Sequence, residues 1–244
     1  MKTENKILDL SFGFSIDIIE LYKGLLNAKE FVIFDTITVL SGKNVFEYCP
    51  ELISHKNYMI SQKSYGFWVW KHFIIREALN SIPENDILLY TDIGCYFNHS
   101  ARDRMRFYQE QCAEKDSLLF EMSHLPEYMF TKMDTYKKVF PFGDKFLKTP
   151  QKVGGIIFIK NTQRNKDIFD ELKIIGTEKN YHHLNDNDSI EPNHVEFQSH
   201  RHDQSILSLV SKKYHLFSIP DETYFLDWEK DGKPYPIWAK RIVY

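Results

Sequence analysis

Two side chains of the central part of the chain are best suited to chemistry: the carboxylate Asp92 and the cation Lys71. Asp92 closely follows the short apolar run Asp86–Tyr90, which predicts a strand covered on both faces. A carboxylate at the C-terminal end of such a strand lies where open α/β sheets bind their ligands. We therefore predict that Asp92 belongs to a ligand site.

Lys71 lies on a predicted helix over Phe67–Leu79, whose apolar and aromatic residues cover almost the whole circumference. This composition predicts a largely buried helix, and the proline-containing segment Ser81–Asn85 ends it. A lysine here can simply lay its stem along the aromatic surface with its head in solvent, or it can face an anionic ligand. For Trp70, core packing is the simpler interpretation, and contact with a ligand is the alternative.

Further candidates lie in the second half of the chain. The run His200-Arg201-His202-Asp203-Gln204 opens a predicted helix, in which Asp203 can act as a cap. Capping explains neither the arginine nor the histidines, so a functional role for Asp203 and Gln204 stays open beside the structural one. Glu127 is a loop carboxylate, either solvated or in contact with a substrate. Gly154 and Gly155 precede a buried strand, where glycines allow close backbone approach, a positive φ or a β-bulge.

The order of predicted elements favours an α/β fold. A strand over Lys6–Phe12, a helix capped by Ser15 and a strand over Phe31–Leu40 imply a parallel pair with a right-handed crossover. In such folds the loop after the first strand commonly meets a nucleotide, so Ser11 and Gly13 are candidates by position, although an ordinary helix-start turn explains them equally well. The polar stretch 176–199 reads as a mobile connection over the substrates.

Composition excludes several functional classes. The chain has 244 residues, 43% of them hydrophobic, which allows a sizeable core. Its formal net charge of −3 argues against binding of nucleic acid, which favours a basic face. We see neither a long apolar run nor a leader, so we expect a soluble, cytoplasmic protein. Cys49, Cys95 and Cys112 lack metal-binding spacing and fit a reducing compartment, with Cys95 as a small apolar filler.

The strings GFWVWKHFIIREAL and DILLYTDIGC together resemble a family of small bacterial and viral glycosyltransferases. That family has a Gly-Tyr-Trp-x-Trp-Lys-Pro helix followed by a strand that ends in Asp-x-Gly-Cys. The resemblance continues through Gln151–Ile159, His200–Tyr214 and Pro236–Arg241, and so covers most of the chain. The chain departs from the pattern at His72, where proline is usual, and at Thr91, where an aliphatic residue is common.

In motif order this family is similar to the larger glycogenin-like transferases of GT-A fold, which use a nucleotide sugar. The resemblance implies that Asp203, Gln204 and Glu127 act in catalysis. It implies that a nucleotide-sugar donor is bound by the remaining candidates, namely Ser11, Gly13, Trp70, Lys71, Asp92, Gly94, Gly154, Gly155 and Arg241.

Transfer from a nucleotide sugar places negative charge on the departing diphosphate, which Mn²⁺ or Mg²⁺ can stabilise. The related enzymes hold this metal with Asp-x-Asp, but Gly94 cannot supply the second carboxylate after Asp92. Either His200, His202 or Asp203 completes the metal shell, or the metal arrives with the donor, or Lys71 and Arg241 carry the charge alone. We favour a metal, with Asp92 and His202 as its ligands.

The sequence thus predicts one α/β domain over 1–244, with a GT-A-like, mainly parallel sheet flanked by helices. Residues 1–98 would form mainly the donor part, and residues 99–244 mainly the acceptor and catalytic part. The predicted function is metal-assisted, retaining transfer of a sugar from a nucleotide sugar to a glycan acceptor such as a surface polysaccharide. Peripheral membrane association and the oligomeric state stay open.

Two other functions remain as alternatives. One is a metal-dependent hydrolase built on His194, His200, His202 and Asp203, since clustered histidines with a carboxylate can bind zinc. The other is a nucleotide-sugar-binding module without catalysis, because the Asp-x-Asp pair is incomplete.

Overall fold

A central mixed sheet organises the structure. The computed structural model describes residues 29–31 and 33–240, together with the backbone of residues 7–12. The seven-stranded sheet has the order β2-β1-β3-β7-β5-β6, and β8 pairs with β5 outside this path. Its strands are β1 (Ile7–Phe12), β2 (Thr36–Leu40), β3 (Ile87–Asp92), β5 (Ser117–Pro126), β6 (Pro150–Lys152), β7 (Ile156–Lys160) and β8 (Ser218–Pro220), while β4 (Tyr96–Phe97) and β9 (Ile237–Trp238) form a separate pair.

The sheet is mainly parallel in direction. β1 pairs in parallel with both β2 and β3, and β8 pairs in parallel with β5. β7 runs antiparallel to both β3 and β5, and β6 runs antiparallel to β5. Hence β1, β2, β3, β5 and β8 share one direction, and β6 and β7 oppose it. The predicted α/β class, a mainly parallel mixed sheet flanked by helices, is confirmed.

Helices cover both faces of this sheet. They are α1 (Val45–Tyr48), α2 (Lys56–Ser61), α3 (Lys63–Phe67), α4 (Trp70–Ser81), α5 (Arg102–Lys115), α6 (Glu127–Phe130), α7 (Met133–Val139), α8 (Gln163–Tyr181) and α9 (His202–Lys213), with 3₁₀ turns at Pro50–His55 and His99–Ala101. Leu88 and Tyr90 of β3 join the core cluster that contains α4, α8 and α9. Ile87 and Leu89 join the cluster that contains α5, as the two-residue period of a strand requires.

The helix predicted from Phe67 begins only at Trp70, because the preceding backbone, which includes most of the short element α3, turns left-handed. Residues 64–68 all have positive φ, from 49° at Ser64 to 79° at Gly66. Glycine suits position 66 for two reasons: it adopts a positive φ at little cost, and a Cβ there would lie only 3.0 Å from Met59 Cα. The turn therefore displaces Phe67 and Trp68 from the regular helix that carries Lys71.

Other expectations are met in part. The strand predicted over Phe31–Leu40 is shorter, because residues 29–31 are helical and β2 begins at Thr36. The helix predicted after Ser15 lies outside the described residues. In the stretch 176–199, α8 continues to Tyr181, and backbone amides of Ile190 and Glu191 then donate to the Asp134 carboxylate at 2.7 and 2.8 Å.

Strands from both predicted parts of the chain share the sheet, since β3 pairs with β7. Their assignment to donor and acceptor remains a prediction. Across the described ranges, no helix combines the length and apolar character needed to cross a membrane. Cys49, Cys95 and Cys112 all lie in the described part of the chain and form no disulfide bond there.

Candidate active site

The topology brings the main candidates to one edge of the sheet. Asp92 is the last residue of β3, where Phe12 of the parallel strand β1 is its register partner. Because β7 is antiparallel to β3, the loop before β7 returns Gly154 and Gly155 to this same edge. Lys71 and Asp203 each occupy the second position of a helix, in α4 and α9. Helix N-termini thus meet strand C-termini here, as in other open α/β sheets.

Lys71 is the centre of the group. Its Nζ lies 2.7 Å from Asp203 Oδ2 and 3.4 Å from Asp92 Oδ1, and it donates to the Gly154 carbonyl oxygen at 3.0 Å. The Lys71 side chain is only 4% exposed. Burial alone lowers the pKa of an ammonium, but the carboxylates of Asp203 and Asp92 outweigh it and raise the pKa of Lys71. Lys71 is therefore a fixed, buried cation, and it does not lie on the surface.

Asp92 faces solvent at the same point. Its side chain is 42% exposed, and Oδ1 accepts a hydrogen bond from the Tyr90 hydroxyl at 2.7 Å. Burial, with Asp92 adding to it, raises the pKa of Tyr90 well above its usual value, so the phenol keeps its proton and donates. The Asp92 amide donates to the Gly155 carbonyl at 2.8 Å. One oxygen of Asp92 is thus held by protein, while the carboxylate remains open to a ligand.

Asp203 is the buried partner of Lys71, with a side chain only 6% exposed. Burial raises the pKa of Asp203 to about 6, against the opposing effect of Lys71. Among the described residues, Asp203 Oδ2 has the Lys71 ion pair but no well-directed hydrogen bond. Its place in the first turn of α9 also favours negative charge. Asp203 therefore fixes the Lys71 ammonium at the sheet edge.

The two glycines allow close approach, as predicted, without positive φ. A Cβ at Gly155 would lie 2.6 Å from Asp92 Oδ2, and one at Gly154 would lie 2.9 Å from Gln204 Cβ. Gln204 also accepts from the Gly154 amide at 3.3 Å and donates to Gln151 Oε1 at 2.7 Å. Gln204 thus connects the glycine loop to α9. The loop itself contacts Lys71 through Gly154 and Asp92 through Gly155.

Glu127 lies apart from this group. It is fully buried, and its carboxylate accepts hydrogen bonds at 2.5 Å from Lys212, Ser208 and Thr131. Its link to the sheet edge is indirect, through Gln151, whose amide donates to Glu127 Oε2 at 3.2 Å. The structure thus places Glu127 in a buried polar network behind the Asp92 edge.

The described contacts do not bring the predicted metal ligands into one cluster. His202 Nδ1 lies 2.8 Å from the Leu184 carbonyl, and Nε2 lies 3.6 Å from Asp186 Oδ1. Within the described part of the chain, no three or more His, Cys, Asp or Glu side chains are grouped so as to hold a metal ion. Asp92 offers one partly exposed carboxylate, which fits a cation whose remaining ligands are phosphate and water.

The His200 and His202 ring centroids of the hydrolase alternative lie 5.6 Å apart, but the described residues contain no group of side chains that could hold a metal there. His200 accepts from the Lys132 amide at 3.3 Å, and its other ring nitrogen lies 3.0 Å from the His183 carbonyl. His194 Nδ1 accepts from the Glu196 amide at 3.2 Å. Each ring is held by the backbone, and the described residues show no shared histidine centre.

The remaining donor-binding candidates have different positions. Trp70 is buried in the core cluster beside Lys71. Gly94 lies in the turn that follows Asp92, which the Cys95 amide closes by donating to the Asp92 carbonyl at 2.9 Å. The backbone of Ser11 pairs with Thr91 at the same edge, and its side chain is not described. Gly13 and Arg241 lie outside the described residues.

Sequence reasoning missed Tyr90 and Gln151 as site residues. Tyr90 precedes Asp92 by two positions on a strand, so both point to the same face, and this spacing could have revealed it. Gln151 donates to Glu127, Thr131, Ser205 and the Phe130 carbonyl, and it accepts from Gln204. No local signal marks this role, because each of these partners lies 20 or more residues away in the sequence.

Similar proteins are found among solved structures. Neither a protein-family model nor a curated protein matches the chain. The chain is similar to the apo form of mouse xyloside xylosyltransferase 1, with a TM-score of 0.49 and 11% identity, over 96% of this chain and 84% of that chain. It is also similar to a glycosyltransferase involved in the glycosylation of the major capsid of PBCV-1, with a TM-score of 0.48 and 12% identity, over 96% of this chain and 93% of that chain.

Proposed function

We propose that this protein is a glycosyltransferase that moves a sugar from a nucleotide-diphosphate sugar to a glycan acceptor. The observation that carries the proposal is the buried Lys71 ammonium, held between Asp203 and the exposed Asp92 at the C-terminal edge of the sheet. Breaking the anomeric C–O bond leaves negative charge on a diphosphate, and fixed positive charge near that group lowers the barrier. A cation already oriented by two carboxylates needs little reorganisation when that charge develops.

Lys71 and Asp92 have complementary tasks in this proposal. Lys71 keeps its proton because its pKa is raised, so it can serve as a permanent electrostatic partner for phosphate oxygens. Asp92, with Oδ1 held by Tyr90, would hold a divalent cation through its open oxygen. Mn²⁺ or Mg²⁺ would supply Lewis-acid stabilisation of the diphosphate when bound. We keep Asp92 and not His202 as the ligand, because the His202 ring is engaged with Leu184 and Asp186.

The contacts of the buried carboxylates support a retaining course. An inverting enzyme needs a carboxylate base within reach of the acceptor hydroxyl. Glu127 is enclosed by Lys212, Ser208 and Thr131, and Asp203 is paired with Lys71, so neither is presented as a free base. We assign Asp203 and Gln204 to positioning Lys71 and the glycine loop at the reacting centre. The anomeric configuration of the product, measured by NMR, would test whether transfer is retaining.

A thermal-shift screen of nucleotide sugars, with and without Mn²⁺, tests the function directly. A donor that binds only the folded protein raises the unfolding midpoint, and we expect the rise to be larger with Mn²⁺. Asp92→Asn should abolish the metal-dependent part and reduce transfer by about 100-fold or more. Asp103→Asn, at an exposed carboxylate on α5, is the matched control and should behave as wild type.

The outcomes separate the remaining alternatives. A donor that binds without hydrolysis or transfer would indicate a nucleotide-sugar-binding module. Stoichiometric zinc without donor binding would favour a hydrolase. Full activity of Asp92→Asn would remove the basis of the proposal.

A further inference from the structure

A second group of side chains lies beside the proposed reacting centre and takes no part in it. It consists of Phe67 and Trp68 of the left-handed turn, together with Lys63, Asp186 and His202, and we call it the Trp68 cluster. The His202 ring centroid lies 4.9 Å from that of Phe67 and 5.6 Å from that of Trp68. Lys63 forms an ion pair with Asp186. Trp68 precedes Lys71 by three positions, and His202 adjoins Asp203, so the cluster borders the Lys71–Asp203 pair.

The hydrogen bonds of His202 define which ring nitrogen is open to a ligand. Nδ1 lies 2.8 Å from the Leu184 carbonyl oxygen, which can only accept, so Nδ1 carries a proton. Burial lowers the pKa of His202, against the opposing effects of Leu184 and Asp186, which favours the neutral ring. Nε2 is then an acceptor.

This acceptor faces another acceptor. His202 Nε2 lies 3.6 Å from Asp186 Oδ1, too far for a hydrogen bond, while Lys63 is on the other oxygen, Oδ2. Two acceptors that face each other in this way are satisfied by a ligand that brings donors. The hydroxyl groups on neighbouring carbons of a sugar ring are such donors, and one can point to each acceptor.

The surroundings suit a sugar ring better than a small ion. Asp186 is 48% exposed and Trp68 is half-buried, so a ligand can reach both the carboxylate and the aromatic ring. An aromatic surface next to a few oriented polar groups is the common composition of a binding site for a neutral organic ligand. Trp68 and His202 also have left-handed backbones, with φ of 61° and 52°, a strain that clusters at functional sites.

We propose that the Trp68 cluster binds a pyranose ring of the carbohydrate acceptor, with its hydroxyls donating to Asp186 and His202 and its apolar face on Trp68. This inference rests on the proposed glycosyltransferase function. A carbohydrate bound beside Lys71 and Asp203 is an acceptor only if sugar transfer takes place there.

The test measures carbohydrate binding separately from donor binding. Saturation-transfer NMR with methyl glycosides and disaccharides of glucose, galactose, mannose and xylose reports the first, and the nucleotide-sugar thermal shift reports the second. Asp186→Asn should weaken binding of the best glycoside by about tenfold or more, as loss of a charged acceptor predicts, and leave the thermal shift in place. Asp188→Asn, at an exposed carboxylate of the same segment, is the control and should bind as wild type. Trp68→Leu is a second variant that removes the aromatic surface and should also weaken glycoside binding.

Each result decides the proposal. Unchanged glycoside binding in Asp186→Asn and in folded Trp68→Leu would overturn it, as would the absence of binding by every glycoside to the wild-type protein. Parallel loss of the thermal shift in Asp186→Asn would assign the cluster to the donor. Glycoside binding without any thermal shift by a nucleotide sugar would refute the glycosyltransferase function and leave a carbohydrate site.

Discussion

Gly155→Ala is the sharpest test of the site, because it perturbs Asp92 without changing it. The added Cβ would lie 2.6 Å from Asp92 Oδ2 and 3.0 Å from its Cγ. Non-bonded heavy atoms settle at roughly 3.5 Å, so the carboxylate must move by about 1 Å. The φ of Gly155 is not left-handed, so alanine adds little backbone strain.

The expected effect is kinetic. A displacement of about 1 Å at a reacting group can lower the rate by about 100-fold, which corresponds to about 2.7 kcal/mol of transition-state stabilisation. The free energy of unfolding should change by about 1 kcal/mol or less, because the half-exposed Asp92 side chain can rotate away from the new methyl group.

The assay is the initial rate of transfer with the nucleotide sugar that gives the largest thermal shift, together with the unfolding midpoint of each variant. Gly176→Ala is the matched control, since a Cβ there meets its nearest atoms at 4.0 Å within α8. It should keep full activity and gain about 0.5–1 kcal/mol of stability from the reduced entropy of the unfolded chain.

A double variant tests whether Gly155→Ala lowers the rate through Asp92. Gly155→Ala combined with Asp92→Asn should be no slower than Asp92→Asn alone, because both changes remove the same interaction. A wild-type rate for Gly155→Ala, or fully additive losses in the double variant, would refute the reasoning.

Three further changes test the buried charges. Lys71→Met should lower the unfolding free energy by roughly 3–5 kcal/mol at pH 8 and by less at pH 5, where Asp203 can take up a proton; equal losses in urea unfolding at both pH values would contradict this. Glu127→Gln should lower the free energy of unfolding by a similar amount, roughly 3–5 kcal/mol, because Lys212 stays buried without its carboxylate partner. Adding Lys212→Met should restore most of this loss. A loss of turnover without a loss of stability would instead make Glu127 catalytic. Burial raises the pKa of Asp134, but the hydrogen bonds that its carboxylate accepts outweigh this effect and lower the pKa to about 2. The stabilising effect of Asp134 is therefore complete above about pH 4 and is lost as the pH falls through about 2. Asp134→Asn should therefore be less stable than wild type by about 2 kcal/mol at pH 7, with a difference that vanishes near pH 2 in a series of unfolding curves.

The sequence predicts the sheet edge well because the determining signals are local. The apolar run before Asp92 indicates both the strand and its buried faces, and β3 does end at Asp92. The start of α9 next to Asp203 and the close approach at Gly155 likewise follow from short motifs.

The other features of the site and fold depend on contacts between residues that are far apart in the sequence. Glu127 reads as a loop carboxylate, yet it is fully buried because Lys212 returns to it from the far end of the chain. The helix predicted from Phe67 starts later, because a left-handed turn of several non-glycine residues opposes their intrinsic preference and is held by tertiary packing.

The buried Lys71 also bears on how the chain folds. Its charge is compensated only when α4, β3, the glycine loop and α9 have all docked, and these come from widely separated stretches of the chain. An intermediate that buried Lys71 before α9 docked would contain an ammonium without its nearer carboxylate partner, Asp203, which is disfavoured. We therefore expect the halves of the molecule to assemble cooperatively, so that a chain interrupted before α9 would leave α4 undocked.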